Sequence, residues 1–245
     1  MPHDLPALEH VALRACPAAV ECWLGQWLLR FGGGYTKRAN SAYVMGIEPD
    51  LDSSVRIEAA AAMMREQDLP LIIRESSLAV DPRISEALRQ RGFHRIDETI
   101  VMTAALPDSS GPEPEQIDLD TWLALYQRFE GGTRGSTEQY RTLLTRIEQP
   151  TCYGVLRSAG EPVTIGQAVA DGDWVGLYAI ATDPARRRQG YGRSVVQRLL
   201  AWGSAQGATR SYLQVIATNT PAVSLYEQLG YVESYRYWYW VQKSR

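Results

Sequence analysis

Several features of common protein classes are missing from this sequence. It has only three cysteines in 245 residues, Cys16, Cys22 and Cys152, and their number and spacing fit neither a disulfide framework nor a structural zinc site. No apolar run approaches the roughly 20 residues that cross a bilayer. The first ten residues lack the basic and apolar regions of a signal peptide. We therefore expect a cytoplasmic protein that has no membrane segment and binds no metal.

The chain also lacks an excess of positive charge. Its formal net charge is -3 at pH 7, with 22% charged and 45% hydrophobic residues. Proteins that bind nucleic acid or anionic membranes need a broad basic surface, so we expect neither partner. The hydrophobic content is enough for a full core. We expect a monomer or homodimer that acts on a small molecule.

The chain divides near its middle. The segment "LPDSSGPEPEQ", residues 106–116, concentrates Pro, Ser, Gly and acidic residues, which is typical of a linker. We place a boundary near Pro112, with one domain over residues 1–110 and a second over residues 116–245. The pattern of the second domain predicts helices over 118–130 and 137–148, three strands within 151–182, then helix, strand, helix and strand. This order predicts a mixed α/β fold.

A basic, glycine-containing stretch, "ARRRQGYGRSVV" (residues 185–196), follows the third strand and leads into a helix. Amides at a helix N-terminus bind phosphate, glycines let a ligand approach them, and arginines add charge-assisted hydrogen bonds. No Lys follows Gly192, which argues against a Walker loop, and Val195 stands where the dinucleotide fingerprint has its third glycine. The stretch is therefore a loop for another phosphate ligand or a solvent-exposed basic turn.

Two separated motifs resemble those of the GNAT superfamily of acetyl-CoA-dependent N-acetyltransferases. The stretch from Arg187 to Gly192 matches the superfamily's Arg/Gln-x-x-Gly-x-Gly/Ala pyrophosphate loop. Further on, "LQVIATNTPAVSLYEQLGY", residues 213–231, is similar to the superfamily's next strand and helix. The resemblance covers roughly residues 116–245. It implies a mixed, mostly antiparallel central sheet flanked by helices, with acetyl-CoA as donor and CoA as product.

The resemblance also implies which residues bind acetyl-CoA. The pyrophosphate would lie on the loop, the pantetheine arm would run along the end of the third strand, and one asparagine side chain would contact the cofactor. The residues so identified are Ile180, Ala181 and Thr182 on the strand, Arg187, Arg188, Gln189, Gly190, Tyr191, Gly192 and Arg193 in the loop, and Asn219. Backbone groups of the strand would pair with the arm as an added strand would.

Tyr226 is the residue that the resemblance implies as general acid. A thiol leaves as a thiolate unless it is protonated, and a phenol with a pKa of about 10 can supply that proton. The alternative is that Tyr226, beside Leu225 on an amphipathic helix, serves packing alone. No general base stands out from the sequence. Tyr178, Asp171, Asp173 and Glu130 are candidates by residue type only.

The first half parallels the second without its motifs. Residues 69–104 repeat the order strand, Pro-containing loop, helix, Gly-aromatic stop and strand. Aligning Gly92 with Gly230 puts Leu88 opposite Tyr226 and Asp81 opposite Asn219, so the catalytic hydroxyl is missing from the first copy. We expect two similar halves in tandem, of which the first is a degenerate GNAT-like domain without a cofactor site. An unrelated α/β domain is the competing interpretation.

Two further stretches have alternative interpretations. "WLLRFGGGYTKRANSAYVM", residues 27–45, is a flexible hairpin with a solvated basic edge, or a loop that reaches across to shape the acceptor pocket. "SYRYWYWV", residues 234–241, is apolar on both faces. Such a strand is expected to be buried between layers, at a contact between the halves or between subunits.

Taken together, these features favour an enzyme that transfers the acetyl group of acetyl-CoA to a primary amine by direct attack, with Tyr226 as general acid. The alternative is a non-catalytic acyl-CoA sensor or interaction module with the same fold. We expect a small-molecule amine as acceptor, and a protein N-terminus or lysine is the other option. The identity of the amine is beyond what a superfamily resemblance implies.

Overall fold

The computed structural model describes residues 5–48, 52–106, 111–130 and 136–242. In the first half the elements are α1 (Leu5–Arg14), β1 (Val20–Leu24), β2 (Trp27–Phe31), β3 (Ala42–Val44), α2 (Ser53–Arg65), β4 (Ile73–Ser76), α3 (Pro82–Gln90) and β5 (Phe93–Ala105). In the second they are β6 (Glu115–Gln116), α4 (Leu119–Glu130), α5 (Thr137–Leu144), β7 (Thr151–Ser158), β8 (Glu161–Asp171), β9 (Trp174–Thr182), α6 (Tyr191–Ala205), β10 (Arg210–Ile216), α7 (Thr220–Glu227) and β11 (Val232–Gln242).

All the described strands form one sheet, in the order β1-β2-β3-β4-β11-β5-β10-β9-β8-β7-β6. Neighbours are parallel at β3/β4 and at β9/β10 and antiparallel elsewhere. Parallel neighbours need a crossover, which α2 and α6 supply. The expected mixed, mostly antiparallel sheet flanked by helices is thus confirmed.

The two halves repeat one topology and exchange their last strands. Each half has antiparallel strands, a parallel crossover through a long helix, a short helix and a final strand. β11 of the second half lies between β4 and β5 of the first, while β5 pairs with β10 of the second. Asp81 and Asn219 also have matching places, because each caps the N-terminus of the short helix in its half. This pseudo-symmetry supports the internal duplication.

Helices cover both faces of the sheet. On one face α2 and α3 pack in the first half and α6 and α7 in the second. On the other face lie α1, α4 and α5. Successive residues of β9 alternate between them, since Leu177 packs with α6 and Tyr178 with α1. A ligand that passes through the sheet would therefore contact both helical layers.

The C-terminal strand joins the halves. Tyr235, Tyr237 and Tyr239 of β11 are buried in the cluster that includes α1, and Trp240 is buried in the cluster that includes α2. The expectation that this doubly apolar strand is buried where the halves meet is therefore met. The domain boundary near Pro112 stays a prediction. Residues 107–110 of the predicted linker lie outside the described ranges, and the sheet continues from one half into the other.

Three details differ from the sequence-based elements. α5 ends at Leu144 instead of residue 148, and the chain turns there through hydrogen bonds from the Arg146 amide to the Leu143 carbonyl and from the Ile147 amide to the Leu144 carbonyl. The sequence pattern predicts the last helix over residues 221–229, whereas α7 spans Thr220–Glu227. The two-residue strand β6 was not predicted. No helix within the described residues is long and apolar enough to span a bilayer.

Candidate active site

The site begins where β9 and β10 separate. Their parallel pairing runs from Trp174 opposite Arg210 to Leu177 opposite Leu213 and ends there, although β9 continues to Thr182 and β10 to Ile216. Beyond Leu177 the facing main-chain groups of the two strands are therefore not paired with each other. An extended ligand can use such groups as an added strand does.

A bulge in β9 shapes the edge of this opening. Ile165 pairs with Ala181 but Gln167 pairs with Tyr178, so Gly166 faces two residues, one of which, Ala179, has φ of 47°. A Cβ on Gly166 would lie 2.6 Å from Ile180 Cδ1 and 2.7 Å from Leu199 Cδ1, so the ends of both side chains would have to shift. Bulges of this kind redirect side chains and are common beside active sites. Here the bulge directs Ala179 and Ile180 into the wall of the opening.

The arginine and glycine loop ends at an uncapped helix N-terminus. Gly190 is the N-cap of α6, with φ of 83°, and no side chain accepts a hydrogen bond from the first turn. By contrast, side chains cap α2, α3, α5 and α7. The first amides of α6 therefore have the positive end of the helix dipole and no cap side chain as acceptor.

The surroundings of Gly192 fit a phosphate group. A Cβ on Gly192 would meet only Thr182 Oγ1 at 3.7 Å and Leu225 Cδ2 at 3.8 Å, which are ordinary contacts. A Cβ on the N-cap Gly190 would meet nothing within 4 Å, so the open space lies at the start of α6. Arg187 and Arg188 are exposed beside it, and the Arg187 Nε donates to the Thr182 carbonyl at 3.4 Å. Open space, amides and cations together suit a pyrophosphate.

Asn219 and Tyr226 lie on the other side of the opening. The Asn219 side chain accepts a hydrogen bond from the Ala222 amide at 3.4 Å as the cap of α7, so its oxygen also has a structural role. Tyr226 is 9% exposed, and its ring packs edge-on against Tyr231 with centroids 5.9 Å apart. No described residue forms a hydrogen bond with the Tyr226 hydroxyl. Burial raises the pKa of Tyr226 to about 12.

A cavity of about 870 Å³ joins these features and passes through the opening in the sheet. Ile180, Asn219 and Tyr226 line it, whereas Ala181, Thr182 and residues 187–193 do not. Of the latter, Ala181 is buried, and its carbonyl accepts from Thr164 Oγ1 at 2.9 Å. The remaining loop contacts are with neighbouring elements, from Tyr191 to Ser158 and from Arg193 to Gln228. Gln189 is exposed. The predicted residues thus fall into a cavity group, a loop group and two residues of β9, Ala181 and Thr182, that belong to neither.

The first half supplies much of the cavity wall. Residues 34–38 and Asn40, from the loop between β2 and β3, line it. The Asn40 Oδ1 accepts from the Gly32 amide at 2.8 Å and the Gly34 amide at 2.9 Å, which fixes the glycine run. Tyr35 stacks on Tyr140 of α5 with centroids 4.6 Å apart. The structure therefore favours the second interpretation of this loop, in which it reaches across to the pocket.

The four candidates for the general base differ in whether they line the cavity. Asp171 pairs with Arg14 at 2.6 Å and Asp173 pairs with Arg210, and neither lines the cavity. Tyr178 lines it, but its hydroxyl bonds to that of Tyr212, and burial holds the pKa of Tyr178 well above its usual value. Glu130 is exposed, lines the cavity and has no ion pair with a described residue.

The corresponding region of the first half is built differently. α2 begins with an occupied cap, since the Asp52 side chain accepts from the Ser54 amide at 2.7 Å. The Glu75 carboxylate of β4 is fully buried and accepts from the indole nitrogens of Trp238 and Trp240, both at 2.9 Å. Leu88, which aligns with Tyr226, is fully buried and has no acidic proton. These features agree with a first half that has no cofactor site of its own, which stays a prediction.

Comparisons with known proteins agree with this geometry. The model of the family described as "Probable histone acetyltransferase Rv0428c C-terminal" matches residues 3–240. The chain is 32% identical over 237 residues to "Probable histone acetyltransferase Rv0428c" of Mycobacterium tuberculosis, covering 92% of this chain and 70% of that protein. It is 26% identical to "Uncharacterized N-acetyltransferase YobR" of Bacillus subtilis, covering 93% of this chain and 94% of that protein.

Solved structures share the fold. A GCN5-related N-acetyltransferase from Kribbella flavida has a TM-score of 0.67 at 16% identity and covers 98% of this chain and 96% of its own. A tandem GNAT protein from the clavulanic acid biosynthesis pathway has a TM-score of 0.61 at 14% identity, over 87% of this chain and 76% of its own. At these identities the likeness concerns the fold alone.

Proposed function

The chain belongs to the GNAT superfamily of N-acetyltransferases, in the family described as "Probable histone acetyltransferase Rv0428c C-terminal", and on that basis we propose that its second half transfers the acetyl group of acetyl-CoA to a primary amine. The observation that carries the proposal is the cavity through the sheet, which has Tyr226 and Asn219 in its wall and the uncapped N-terminus of α6 close by in the chain fold. We propose a cytoplasmic enzyme that acts on a small molecule.

Each group would have a defined task. The first amides of α6, with Arg187 and Arg188, would hold the pyrophosphate, and main-chain groups of β9 near Ile180 would hold the pantetheine arm. Acetyl-CoA supplies an activated thioester whose sulfur leaves when the amine nitrogen bonds to the carbonyl carbon. Tyr226 would give its proton to that sulfur. Holding both reactants in one cavity supplies much of the acceleration by orientation.

Calorimetric titration with acetyl-CoA, followed by measurement of CoA release with a panel of amines, tests the proposal. We expect one acetyl-CoA site per chain and amine-dependent release of CoA. Binding without turnover for any amine would favour the acyl-CoA sensor instead. Absence of binding would refute both functions, because the loop would then be a basic turn.

Replacement of Gly192 by Val should weaken acetyl-CoA binding roughly 10- to 100-fold, because the side chain would fill the space above the α6 amides and cost charge-assisted hydrogen bonds. Gly192→Ala is the matched control for folding, since its Cβ makes only ordinary contacts. Calorimetry gives the affinity and thermal unfolding the stability. An unchanged affinity in a folded Val variant would contradict the phosphate site.

Glu130 is our candidate for the group that accepts the proton of the attacking amine. It lines the cavity and has no ion pair with a described residue, whereas Asp97, another carboxylate of the wall, is held 2.9 Å from Lys37 Nζ. Glu130→Gln should lower kcat/KM about tenfold, which is less than the usual effect of a general base, because water can reach and replace this exposed group. A Gln variant with full activity across the pH range would exclude this role.

A further inference from the structure

Arg38 brings a cation from the first half into the cavity of the second. It lies in the loop between β2 and β3, half-buried, with its guanidinium carbon 5.7 Å from the centre of the Tyr178 ring. Tyr178 is on the α1 and α4 face of the sheet, opposite the face on which α6 packs. Arg38 therefore stands on the side of the sheet away from the phosphate loop, where the amine would enter.

No described carboxylate pairs with the Arg38 guanidinium. The adjacent Lys37 differs, since its ammonium group is paired with Asp97. Burial keeps the pKa values of Tyr140, Tyr178 and Tyr239 well above their usual value, so these neighbouring phenols stay neutral and cannot balance the charge. A partly buried cation without a partner is costly, because it loses hydration without gaining an ion pair.

Two more hydrogen-bond donors in the same cavity have no partner among the residues that the structure describes. Gln167 is 2% exposed, and its Nε2 makes no hydrogen bond with any described residue. Tyr239 is 4% exposed, and its hydroxyl is likewise unpaired within the described part of the chain. Gln167 lies directly opposite Tyr178 in the β8/β9 pairing, next to the ring on which Arg38 rests. Buried polar atoms are nearly always satisfied, so such atoms in a cavity wall are satisfied by what fills the cavity, which is water or an ion in the free protein and the substrate in its complex.

The backbone of Arg38 is held firmly. Its carbonyl accepts hydrogen bonds from Arg30 Nη1 and from the Tyr43 hydroxyl, each at 2.7 Å. Arg30 itself is fully buried and donates to the carbonyls of Leu13 and Cys16. The base of the Arg38 side chain is therefore fixed by the first half, which leaves the guanidinium to serve a ligand. Such preorganisation lowers the entropy cost of binding.

We propose that Arg38, together with Gln167 and Tyr239, binds a carboxylate of the acceptor, so that the acceptor is a molecule with both a primary amine and a carboxylate. This inference rests on the proposed function. The cavity has one unpaired cation, Arg38, and one unpaired carboxylate, Glu130, among its described residues, which complements a ligand with opposite charges at its two ends. A guanidinium and two neutral donors match carboxylate oxygens, which only accept hydrogen bonds. A free amino acid and a peptide with a free C-terminus share this chemistry.

Matched pairs of amines test the inference. The pairs are L-lysine with cadaverine, L-ornithine with putrescine, and L-tyrosine with tyramine, which differ only in the carboxylate. We expect kcat/KM to favour the carboxylate member roughly 10- to 100-fold in at least one pair, as for a hydrogen-bonded charge. A lysine dipeptide with a free or an amidated C-terminus separates a peptide from a free amino acid as the source.

Variants connect that preference to Arg38. Arg38→Met should reduce the ratio within the pair to about one, and Arg38→Lys, which keeps the charge but not the planar fork, should give an intermediate ratio. Arg65→Met, an exposed arginine of α2 outside the cavity, is the matched control and should keep the ratio of the parent. The acetyl-CoA affinity of each variant checks that the second half is folded independently of turnover.

The outcomes separate this inference from the proposed function. Equal kcat/KM within every pair, or an Arg38→Met variant that keeps the preference, would overturn the carboxylate site while leaving the acetyltransferase in place. A protein that binds acetyl-CoA but acetylates none of these amines would also overturn it. Failure to bind acetyl-CoA would instead refute the proposed function.

Discussion

Tyr226→Phe is expected to lower kcat by about 10²- to 10³-fold while leaving the fold intact. General acid catalysis contributes on this scale, and the variant removes the proton that the departing sulfur would receive. The ring and its contact with Tyr231 stay, because only the hydroxyl is removed and that hydroxyl has no described hydrogen-bond partner. CoA release under saturating acetyl-CoA and amine measures the effect.

Tyr231→Phe is the matched control for this variant. Tyr231 is buried in the same hydrophobic cluster, but its hydroxyl bonds to Ser211 Oγ at 2.5 Å and it does not line the cavity. We expect it to reduce stability by about 1 kcal/mol, the contribution of a typical hydrogen bond, and to change kcat little. If both variants lose turnover equally, or if Tyr226→Phe retains full turnover, Tyr226 serves packing and the acid is elsewhere.

The raised pKa of Tyr226 gives this role a signature in the pH profile. Burial moves the pKa from 10.0 to about 12, so the phenol keeps its proton across the range where an exposed tyrosine loses it. The decline in kcat assigned to this acid should therefore lie near pH 12 and not near pH 10. The contribution of this buried phenol to the free energy of unfolding changes with pH in the same direction. It is fully present below pH 10 and is lost as the pH rises through about 12. A decline centred at pH 10 would contradict the burial of the acid.

The sequence predicted the local features of the second half well. The strand that ends at Thr182, the helix that begins after Gly190 and the short helix that Asn219 caps each depend on residues adjacent in the chain, such as a glycine at positive φ or an asparagine cap. The superfamily resemblance depends on the same short stretches. The roles of Tyr226 and Asn219 stay predictions, although both residues lie in the cavity wall.

The contribution of the first half could not be predicted in the same way. Arg38 and Tyr178 are 140 positions apart in the chain, and they meet because the sheet continues from the first half into the second. Periodicity reports which face of a strand is buried, but not which strand lies beside it. The run Gly32 to Gly34 therefore allowed two interpretations, and the Asn40 hydrogen bonds that fix it are tertiary details. The tyrosines of β11 indicated a buried strand without identifying the cavity that Tyr237 and Tyr239 line.

Substitution of Glu9 should destabilise the contact between the two halves. Its carboxylate bonds to both terminal nitrogens of Arg74, at 2.8 and 3.0 Å, and both side chains are buried. The Arg74 guanidinium also lies 4.5 Å from the centre of the Tyr43 ring and 3.8 Å from that of Tyr237. Glu9→Gln would leave a buried cation without its counter-ion, and we expect the free energy of unfolding to fall by about 3–5 kcal/mol. Urea denaturation measures the loss.

Two control variants test whether the loss in Glu9→Gln comes from the buried ion pair. Glu115→Gln removes a solvent-exposed partner of Arg157 and should cost less than about 1 kcal/mol. Glu9→Leu combined with Arg74→Met removes both charges and should recover part of the stability that the single change loses. A loss for Glu9→Gln as small as that for Glu115→Gln would mean that the buried pair does not clamp the joint.

Loss of the ion pair between Glu9 and Arg74 should also weaken the binding of the amine more than the binding of acetyl-CoA. Arg74 holds Tyr237 of the exchanged strand β11, and Tyr237 lines the cavity on the side of the sheet where Arg38 lies. The loop at residues 187–192 belongs to the other face and has no contact with this clamp. In a Glu9→Gln variant that remains folded at the assay temperature, KM for the amine should therefore rise while the affinity for acetyl-CoA stays close to that of the parent. An equal loss for both substrates would mean that the first half supports the whole second half instead of shaping the amine pocket.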